Sequence, residues 1–151
     1  MTTSNEALKN HLNQLVATHG MFFTKLHQYH WYVKGTNFFV LHEKFEELYG
    51  DVNAKFDEFA ERLLTIGGEP YSTLSEFIEH SSLSETPYKK EIPSDKMVEL
   101  VVDDYKIIQS DLEKGIELAG AADDNVTEDL YIGYKTEIEK TLWMLTAYLG
   151  K

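Results

Sequence analysis

Residues 41–66, LHEKFEELYGDVNAKFDEFAERLLTI, decide the fold, because their apolar side chains recur at steps of three or four residues. That spacing places the apolar side chains in one stripe along a single long α-helix. The stripe consists of Leu41, Phe45, Leu48, Val52, Phe56, Phe59, Leu63 and Ile66. Gly67 and Gly68 follow the stripe and are predicted to end the helix.

Three further long helices are predicted on either side of this segment. The same steps of three and four residues run through residues 8–33, 97–116 and 130–149. Ser94 or Asp95 is predicted to cap the third helix. Acidic residues at 123–124 precede the fourth helix, where the helix dipole favours negative charge.

The connections between these helices differ in length. Short links join the first helix to the second and the third to the fourth, which predicts that each pair is antiparallel. Residues 67–93 form a much longer crossover with a predicted short helix at 74–80. One long crossover between two helical hairpins is the connectivity of ferritin-like bundles. We therefore predict an all-α fold, a ferritin-like four-helix bundle with a short extra helix in the crossover, forming one domain over residues 1–151.

Composition narrows the class of function. The chain has 26 acidic and 14 basic residues and a formal net charge of −12, so it repels phosphate backbones and attracts cations. An excess of acidic residues can also have no role other than to keep a protein soluble. Because there is no cysteine, histidine and carboxylate side chains must hold any metal. The chain lacks an apolar run of membrane-spanning length and a secretory signal at its start, which predicts a soluble, cytoplasmic protein.

Polar residues border the apolar stripe of the second helix. His42, Glu46, Asp57 and Glu61 fall within roughly a quarter-turn sector of that helix, at about 100° per residue. His42 with Glu46, and Asp57 with Glu61, are each one turn apart, so each pair offers two ligands to one cation. His42 and Asp57 lie about 22 Å apart along the axis, so they cannot hold the same ion within one chain.

A second copy of the chain resolves this separation. An antiparallel copy of the second helix, related by a two-fold axis near Gly50 and Asp51, brings His42 and Glu46 of one chain opposite the acidic pair of the other. His30, with Trp31 beside it, adds an imidazole once the first two helices pack together. The residues predict a metal site shared between two subunits.

The chemistry of this site leaves alternatives open. Nitrogen and oxygen ligands suit iron, and also zinc, manganese or cobalt. Acidic residues on a helix also form solvated faces, and a histidine beside an apolar stripe is often a core residue. A di-metal centre inside one bundle is disfavoured, because no histidine has a glutamate three residues before it.

Several segments of the chain resemble the Dps family, also called miniferritins. The resemblance rests on KLHQYHWYVKG at residues 25–35, Asn-Phe at 37–38, Leu-His-Glu at 41–43 and DEFAER at 57–62 ahead of two glycines. It extends over essentially the whole chain, including Trp143 and Met144 near its end. Within this family the sequence resembles the acidic Dps proteins of Gram-positive bacteria that do not bind DNA.

The resemblance implies a ferroxidase that stores iron in a hollow homo-dodecamer. In this family two Fe(II) ions are oxidised at each inter-subunit site, typically by hydrogen peroxide in preference to O2, and the ferric mineral is stored inside as protection against oxidative stress. By position, His30 and His42 come from one subunit, whereas Asp57 and Glu61 come from its partner. Zinc or another divalent metal can substitute for iron.

The resemblance also gives roles to further residues. Glu46 stands where relatives often have aspartate, which changes its reach as a metal ligand. Trp31 matches a family tryptophan near the iron, an electron donor or a packing residue at the dimer interface. Three acids near the start of the fourth helix either line an entry pore or serve only as helix-terminus charge. They are Asp123, Asp124 and Asp129.

Two other functions compete with iron storage. Some Dps proteins compact DNA with a lysine-rich tail, but Lys9 is the only basic residue among the first ten here, so DNA binding is disfavoured. The second alternative is a structural or adhesion-like helical oligomer whose histidines bind zinc adventitiously. Neither alternative predicts ferrous oxidation at the proposed site.

Overall fold

The computed structural model describes residues 2–151, which form five helices and, within that range, no strand. The helices are α1 (Ser4–Tyr32), α2 (Phe38–Thr65), α3 (Leu74–His80), α4 (Ser94–Ala121) and α5 (Asn125–Tyr148). Four are long, and the short α3 lies in the crossover between α2 and α4. The predicted all-α architecture is confirmed, including the position of the crossover helix. No helix in the described range is both long enough and apolar enough to cross a membrane.

The helix ends follow local sequence, with one exception. Thr3 and Glu6 form a capping box at the start of α1, and Gly35, with φ of 107°, turns the chain towards α2. The predicted cap of α4 was wrong. Pro93 is the N-cap residue, Ser94 already lies inside the helix, and no side chain caps the first turn. The proline ring holds φ at −57°, so the extended crossover ends there and the helix begins one residue later.

The apolar stripes of the four long helices meet in one core. Its largest fully buried side chains include Phe22, Phe45, Phe59 and Tyr131, and each such side chain contributes about 2–3 kcal/mol by leaving water. The ring of His19 meets Phe59, and the ring of His27 meets Tyr49, so α1 and α2 run antiparallel from their shared turn. This antiparallel pairing brings the end of α1 beside the start of α2.

The crossover helix α3 packs on the α1–α2 pair. The ring of Phe77 meets Phe56 edge-on, with centroids 5.4 Å apart. A Cβ atom on Gly20 would lie 2.8 Å from the Phe77 ring, so α3 approaches α1 closely because residue 20 lacks a side chain. The crossover is thereby held against one face of the bundle.

A candidate metal half-site on the first two helices

The turn between α1 and α2 places two imidazole rings face to face. The rings of His30 and His42 are stacked, with centroids 3.7 Å apart and planes inclined by 13°. Nδ1 of His30 lies 2.7 Å from the carbonyl oxygen of His42, and Nδ1 of His42 lies 2.7 Å from the carbonyl oxygen of His30. Each histidine is therefore held by the backbone of the other.

These reciprocal hydrogen bonds determine which nitrogen is free. A carbonyl oxygen only accepts, so both Nδ1 atoms must carry hydrogen and donate. In the neutral rings, both Nε2 atoms then keep a lone pair. A backbone hydrogen bond from the other ring nitrogen is the arrangement that orients a metal-ligating histidine and increases its basicity. Each ring therefore presents an oriented Nε2 atom that is available to a metal ion.

Glu46 lies beside the free nitrogen of His30. Its Oε1 is 4.0 Å from Nε2 of His30, and its side chain is 61% exposed. The Tyr49 hydroxyl donates a hydrogen bond to the same oxygen at 3.4 Å. The half-site of one chain, His30, His42 and Glu46, therefore consists of two imidazoles and one exposed carboxylate.

Asp57 and Glu61 lie farther along α2 and are exposed to solvent. Neither carboxylate has a hydrogen bond or ion pair within residues 2–151, and α2 separates them from His42 by about 22 Å of helix axis. In that range, no three His, Cys, Asp or Glu side chains are gathered closely enough to hold a metal ion. The chain stacks His30 on His42 and places Glu46 near His30, but it does not bring the acidic pair to them, so sharing between subunits remains a prediction.

Trp31 is the most exposed large side chain at the end of α1. It is 69% exposed, and its ring contacts the ring of His27 with centroids 5.3 Å apart. A side chain of this size on the surface is available either to a partner subunit or to a redox reaction.

The three acids predicted near a pore have different surroundings. Asp124 caps α5 by accepting from Thr127 N–H at 3.0 Å, and it forms an ion pair with Arg62 at 3.1 Å. Burial acts to raise the pKa of Asp124, but the hydrogen bonds from Thr127 and Arg62 outweigh it and lower the pKa. Asp123, with φ of 55°, and Asp129 are exposed. Asp124 thus has a role within the fold, and the pore role of all three acids remains a prediction.

Sequence reasoning missed two aromatic neighbours of the half-site. The ring of Tyr49 is stacked on His27 at 3.9 Å and meets His30 edge-on at 5.3 Å. A helical signal existed, because His27 is one turn before His30 and Tyr49 is one turn after Glu46. Spacing placed both residues on the correct face of each helix, but only the packing of α1 on α2 puts the two rings in contact.

The family model and the similar proteins all indicate the same family. The model of the ferritin-like domain matches residues 9–151. The chain is 45% identical to the DNA protection during starvation protein of Listeria monocytogenes over 99% of this chain and 96% of that protein. It is 49% identical to DNA protection during starvation protein 2 of Bacillus anthracis over 93% of this chain and 94% of that protein.

Solved structures show the same fold. The crystal structure of Dps from Listeria monocytogenes is 46% identical and superposes with a TM-score of 0.94, covering 95% of this chain and 94% of that one. A structure of Dps from Listeria innocua soaked with cobalt is 45% identical, with a TM-score of 0.95, covering all of this chain and 97% of that one. Dps from Staphylococcus aureus is 44% identical, with a TM-score of 0.92, covering 99% of this chain and 98% of that one.

Proposed function

The chain belongs to the Dps family of ferritin-like proteins, and from this membership we propose that it oxidises Fe(II) at sites shared between subunits and stores the ferric product. Membership of this family indicates, in general terms, a function in iron storage and in protection against oxidative stress. The finer proposal is a ferroxidase that prefers hydrogen peroxide to O2, acting in a shell of twelve copies. Two iron ions are oxidised at each inter-subunit site.

One observation carries this proposal. His30 and His42 each donate from Nδ1 to the other's backbone at 2.7 Å, which leaves two oriented Nε2 atoms, and that of His30 lies 4.0 Å from the Glu46 carboxylate. A histidine that serves only the core satisfies both nitrogens inside the chain. Two adjacent rings that each keep one oriented nitrogen free supply part of the ligand set of a divalent cation.

The exposed face of α2 supports completion of the site by a second chain. Asp57 and Glu61 have the charge and the one-turn spacing needed to add two carboxylates to the imidazole pair. A Cβ atom built on Gly50, midway between the two pairs, meets no atom of this chain within 4 Å. The helix surface is therefore open there for an antiparallel copy of α2 about a two-fold axis.

The ligand set favours the proposed chemistry. Carboxylates stabilise ferric iron more than ferrous iron, so they lower its reduction potential and promote electron loss. Two Fe(II) ions, one hydrogen peroxide and two protons give two Fe(III) ions and two waters, so peroxide receives both electrons without release of a hydroxyl radical. Zinc, which has no accessible redox change, is expected to occupy the same ligands and inhibit the reaction. Crystals of the Listeria innocua relative have been soaked with zinc and with cobalt.

The direct test combines particle mass with ferrous oxidation. Twelve chains of 17.4 kDa give a particle of about 210 kDa, measurable by light scattering before and after Fe(II) loading. Stopped-flow absorbance with peroxide or with O2 then gives the preferred oxidant. A monomer that accumulates no iron would contradict the proposal.

Subunit mixing tests whether the site is shared. One variant carries His30→Ala and His42→Ala, and the other carries Asp57→Asn and Glu61→Gln. Each alone is expected to be inactive. Random pairing of equal amounts makes half of the dimers mixed, each with one intact site of two, so about one quarter of wild-type activity returns. No recovery on mixing would show that the site lies within one chain.

A charge-matched control accompanies this experiment. Glu43→Gln with Glu58→Gln removes two exposed charges from the same helix without touching the proposed ligands. This control is expected to keep the wild-type rate, because loss of surface charge alone changes little. If it loses activity like the variant lacking Asp57 and Glu61, general electrostatic attraction of iron explains the effect and ligation does not.

A further inference from the structure

A tyrosine lies against the half-site without being a metal ligand. The Tyr49 hydroxyl donates to Oε1 of Glu46 at 3.4 Å, and that oxygen is 4.0 Å from Nε2 of His30. The Tyr49 ring meets the His30 ring edge-on, with centroids 5.3 Å apart. The phenol is therefore in contact both with a proposed ligand and with a carboxylate that can accept its proton.

The Tyr49 ring also belongs to a chain of aromatic contacts. It is stacked on His27 at 3.9 Å with an angle of 21°, and His27 in turn contacts Trp31 at 5.3 Å. Nδ1 of His27 donates to the carbonyl of Phe23 at 2.7 Å, which holds the imidazole between the two rings. An unbroken series of rings thus leads from the half-site to an exposed indole.

From this geometry we infer that Tyr49 is a one-electron donor to the proposed iron site, with Glu46 accepting its proton and His27 linking it to Trp31. The inference rests on the proposed ferroxidase function and extends it to sites that hold a single iron. Such a site can supply only one of the two electrons that hydrogen peroxide accepts. Without a second donor, peroxide accepts one electron and releases a hydroxyl radical, which then oxidises a nearby molecule.

The proposed step balances with peroxide as the oxidant. One Fe(II), one tyrosine, one hydrogen peroxide and one proton give one Fe(III), one tyrosyl radical and two waters. The O–O bond of peroxide and the O–H bond of Tyr49 break, and the phenolic hydrogen leaves as an electron and a proton. Glu46 receives that proton and passes it to the water that forms. Iron and tyrosine are each oxidised by one electron, and peroxide is reduced by two.

The contacts favour Tyr49 over Trp31 as the first donor. A phenol loses its electron readily only when its proton leaves at the same time, and Tyr49 has a carboxylate hydrogen-bonded for that purpose. Trp31 contacts His27, whose ring is stacked on Tyr49 at 3.9 Å and lies farther from the His30 ring, with centroids 6.4 Å apart. Trp31 therefore receives the oxidising equivalent second and carries it to the surface.

Freeze-quench electron paramagnetic resonance tests this order of oxidation. The assembled protein is loaded with about one Fe(II) per site and mixed with hydrogen peroxide. Wild type is expected to show a tyrosyl radical whose hyperfine pattern collapses when the protein is made with ring-deuterated tyrosine. The labelled wild type requires no substitution, so the result does not depend on the folding of a variant.

Two tyrosine variants locate the radical. Tyr49→Phe keeps the stacked ring but has no O–H bond, so the tyrosyl signal is expected to fall at least fivefold and hydroxyl-radical spin adducts to rise. Tyr71→Phe is the matched control, because Tyr71 is also stacked on a histidine, His80, at 4.2 Å, outside the half-site. This control is expected to leave the signal unchanged.

Several results would overturn the inference. A wild-type protein that oxidises iron without forming a tyrosyl radical, or a radical that persists in Tyr49→Phe, removes Tyr49 as the donor and leaves the ferroxidase proposal intact. A radical lost equally in Tyr71→Phe does the same. A wild-type protein that oxidises no Fe(II) defeats both proposals together.

Discussion

Two pairs of histidines in the same protein have opposite surroundings. In the core, His19 donates from Nδ1 to the Leu15 carbonyl at 2.7 Å, and its Nε2 accepts from the Tyr134 hydroxyl at 2.8 Å. His11 is likewise bonded through both nitrogens, to the Asp111 carbonyl and the Tyr131 hydroxyl. At the end of α1 and the start of α2, His30 and His42 use one nitrogen each on the backbone. The core pair has no lone pair left to bind a ligand, whereas the outer pair has two.

This difference separates a structural histidine from a candidate ligand more clearly than burial does. His30 is only 7% exposed and His11 only 6%, so accessibility alone would treat them alike. The discriminating feature is the partner of the second ring nitrogen. We therefore expect substitutions in the core pair to change stability, and substitutions in the outer pair to change iron chemistry.

The largest effect is expected for His19→Ala. The substitution leaves a cavity beside Phe59 and orphans the buried Tyr134 hydroxyl, which together cost about 4 kcal/mol in the free energy of unfolding. Urea unfolding at fixed protein concentration measures this loss, and ferrous oxidation per folded chain should stay near the wild-type value. A stability loss below about 1 kcal/mol would contradict the structural role.

The pH dependence of stability should come from the same core residue. Burial, with a smaller contribution from the Lys55 charge, lowers the pKa of His19 from 6.5 to about 4. The unfolded chain therefore binds this proton at higher pH than the native chain does, so stability falls as pH decreases through that interval. The expected loss is about 3 kcal/mol.

Comparison with the variant isolates the contribution of His19 to that pH dependence. His19→Ala should show a shallower loss of unfolding free energy than wild type between pH 6.5 and about 4. Both proteins contain the same carboxylates, so titration of those groups cancels in the difference. Parallel pH profiles would exclude His19 as the source.

Substitution of the outer pair, His30 and His42, should affect the rate of iron oxidation more than it affects stability. His30→Ala with His42→Ala deletes both free Nε2 atoms, and the initial rate of ferrous oxidation is expected to fall by about 100-fold. The loss of stability should stay below that of His19→Ala, because the double substitution removes two hydrogen bonds to backbone carbonyls but orphans no buried hydroxyl. His80→Ala is the control for loss of a histidine elsewhere, and an equal loss of activity there would refute site-specific ligation.

The smallest effect on stability is expected for two carboxylates that differ in the same way as the two histidine pairs. Asp124 is engaged by Thr127 and Arg62, whereas Asp129 is exposed. Asp124→Ala should therefore cost about 1 kcal/mol of stability, and Asp129→Ala about 0.5 kcal/mol or less. If the exposed acid attracts iron to a pore, Asp129→Ala should slow iron uptake about twofold. Equal stability losses in thermal unfolding would contradict the distinction.

Much of the fold was predictable because helical periodicity is a local property. The spacing of Leu41, Phe45 and Leu48 already requires a helix, and residues 67–93 are too rich in glycine and proline to continue one. The helix start at Ser94 was misjudged, because serine and aspartate are common caps and the proline before them determined the boundary instead.

The candidate site was predictable only in part. The spacing from His42 to Glu61 places four ligand-type residues on one side of α2, and the turn after α1 brings His30 near. The contact of Tyr49 with His27 was not predictable, nor was the ion pair between Arg62 and Asp124. Those contacts depend on how far each helix is rotated about its own axis, which the whole core sets at once.

The amino-acid sequence by itself determined four amphipathic helices, the long crossover and the placement of imidazole and carboxylate groups along α2, because each follows from a rise of about 1.5 Å and a rotation of about 100° per residue. Only the tertiary structure decided which nitrogen of each histidine is free. Packing of α1 on α2 brings each Nδ1 to the carbonyl of the other histidine. That hydrogen-bond partner lies twelve residues away, beyond the range of any local pattern.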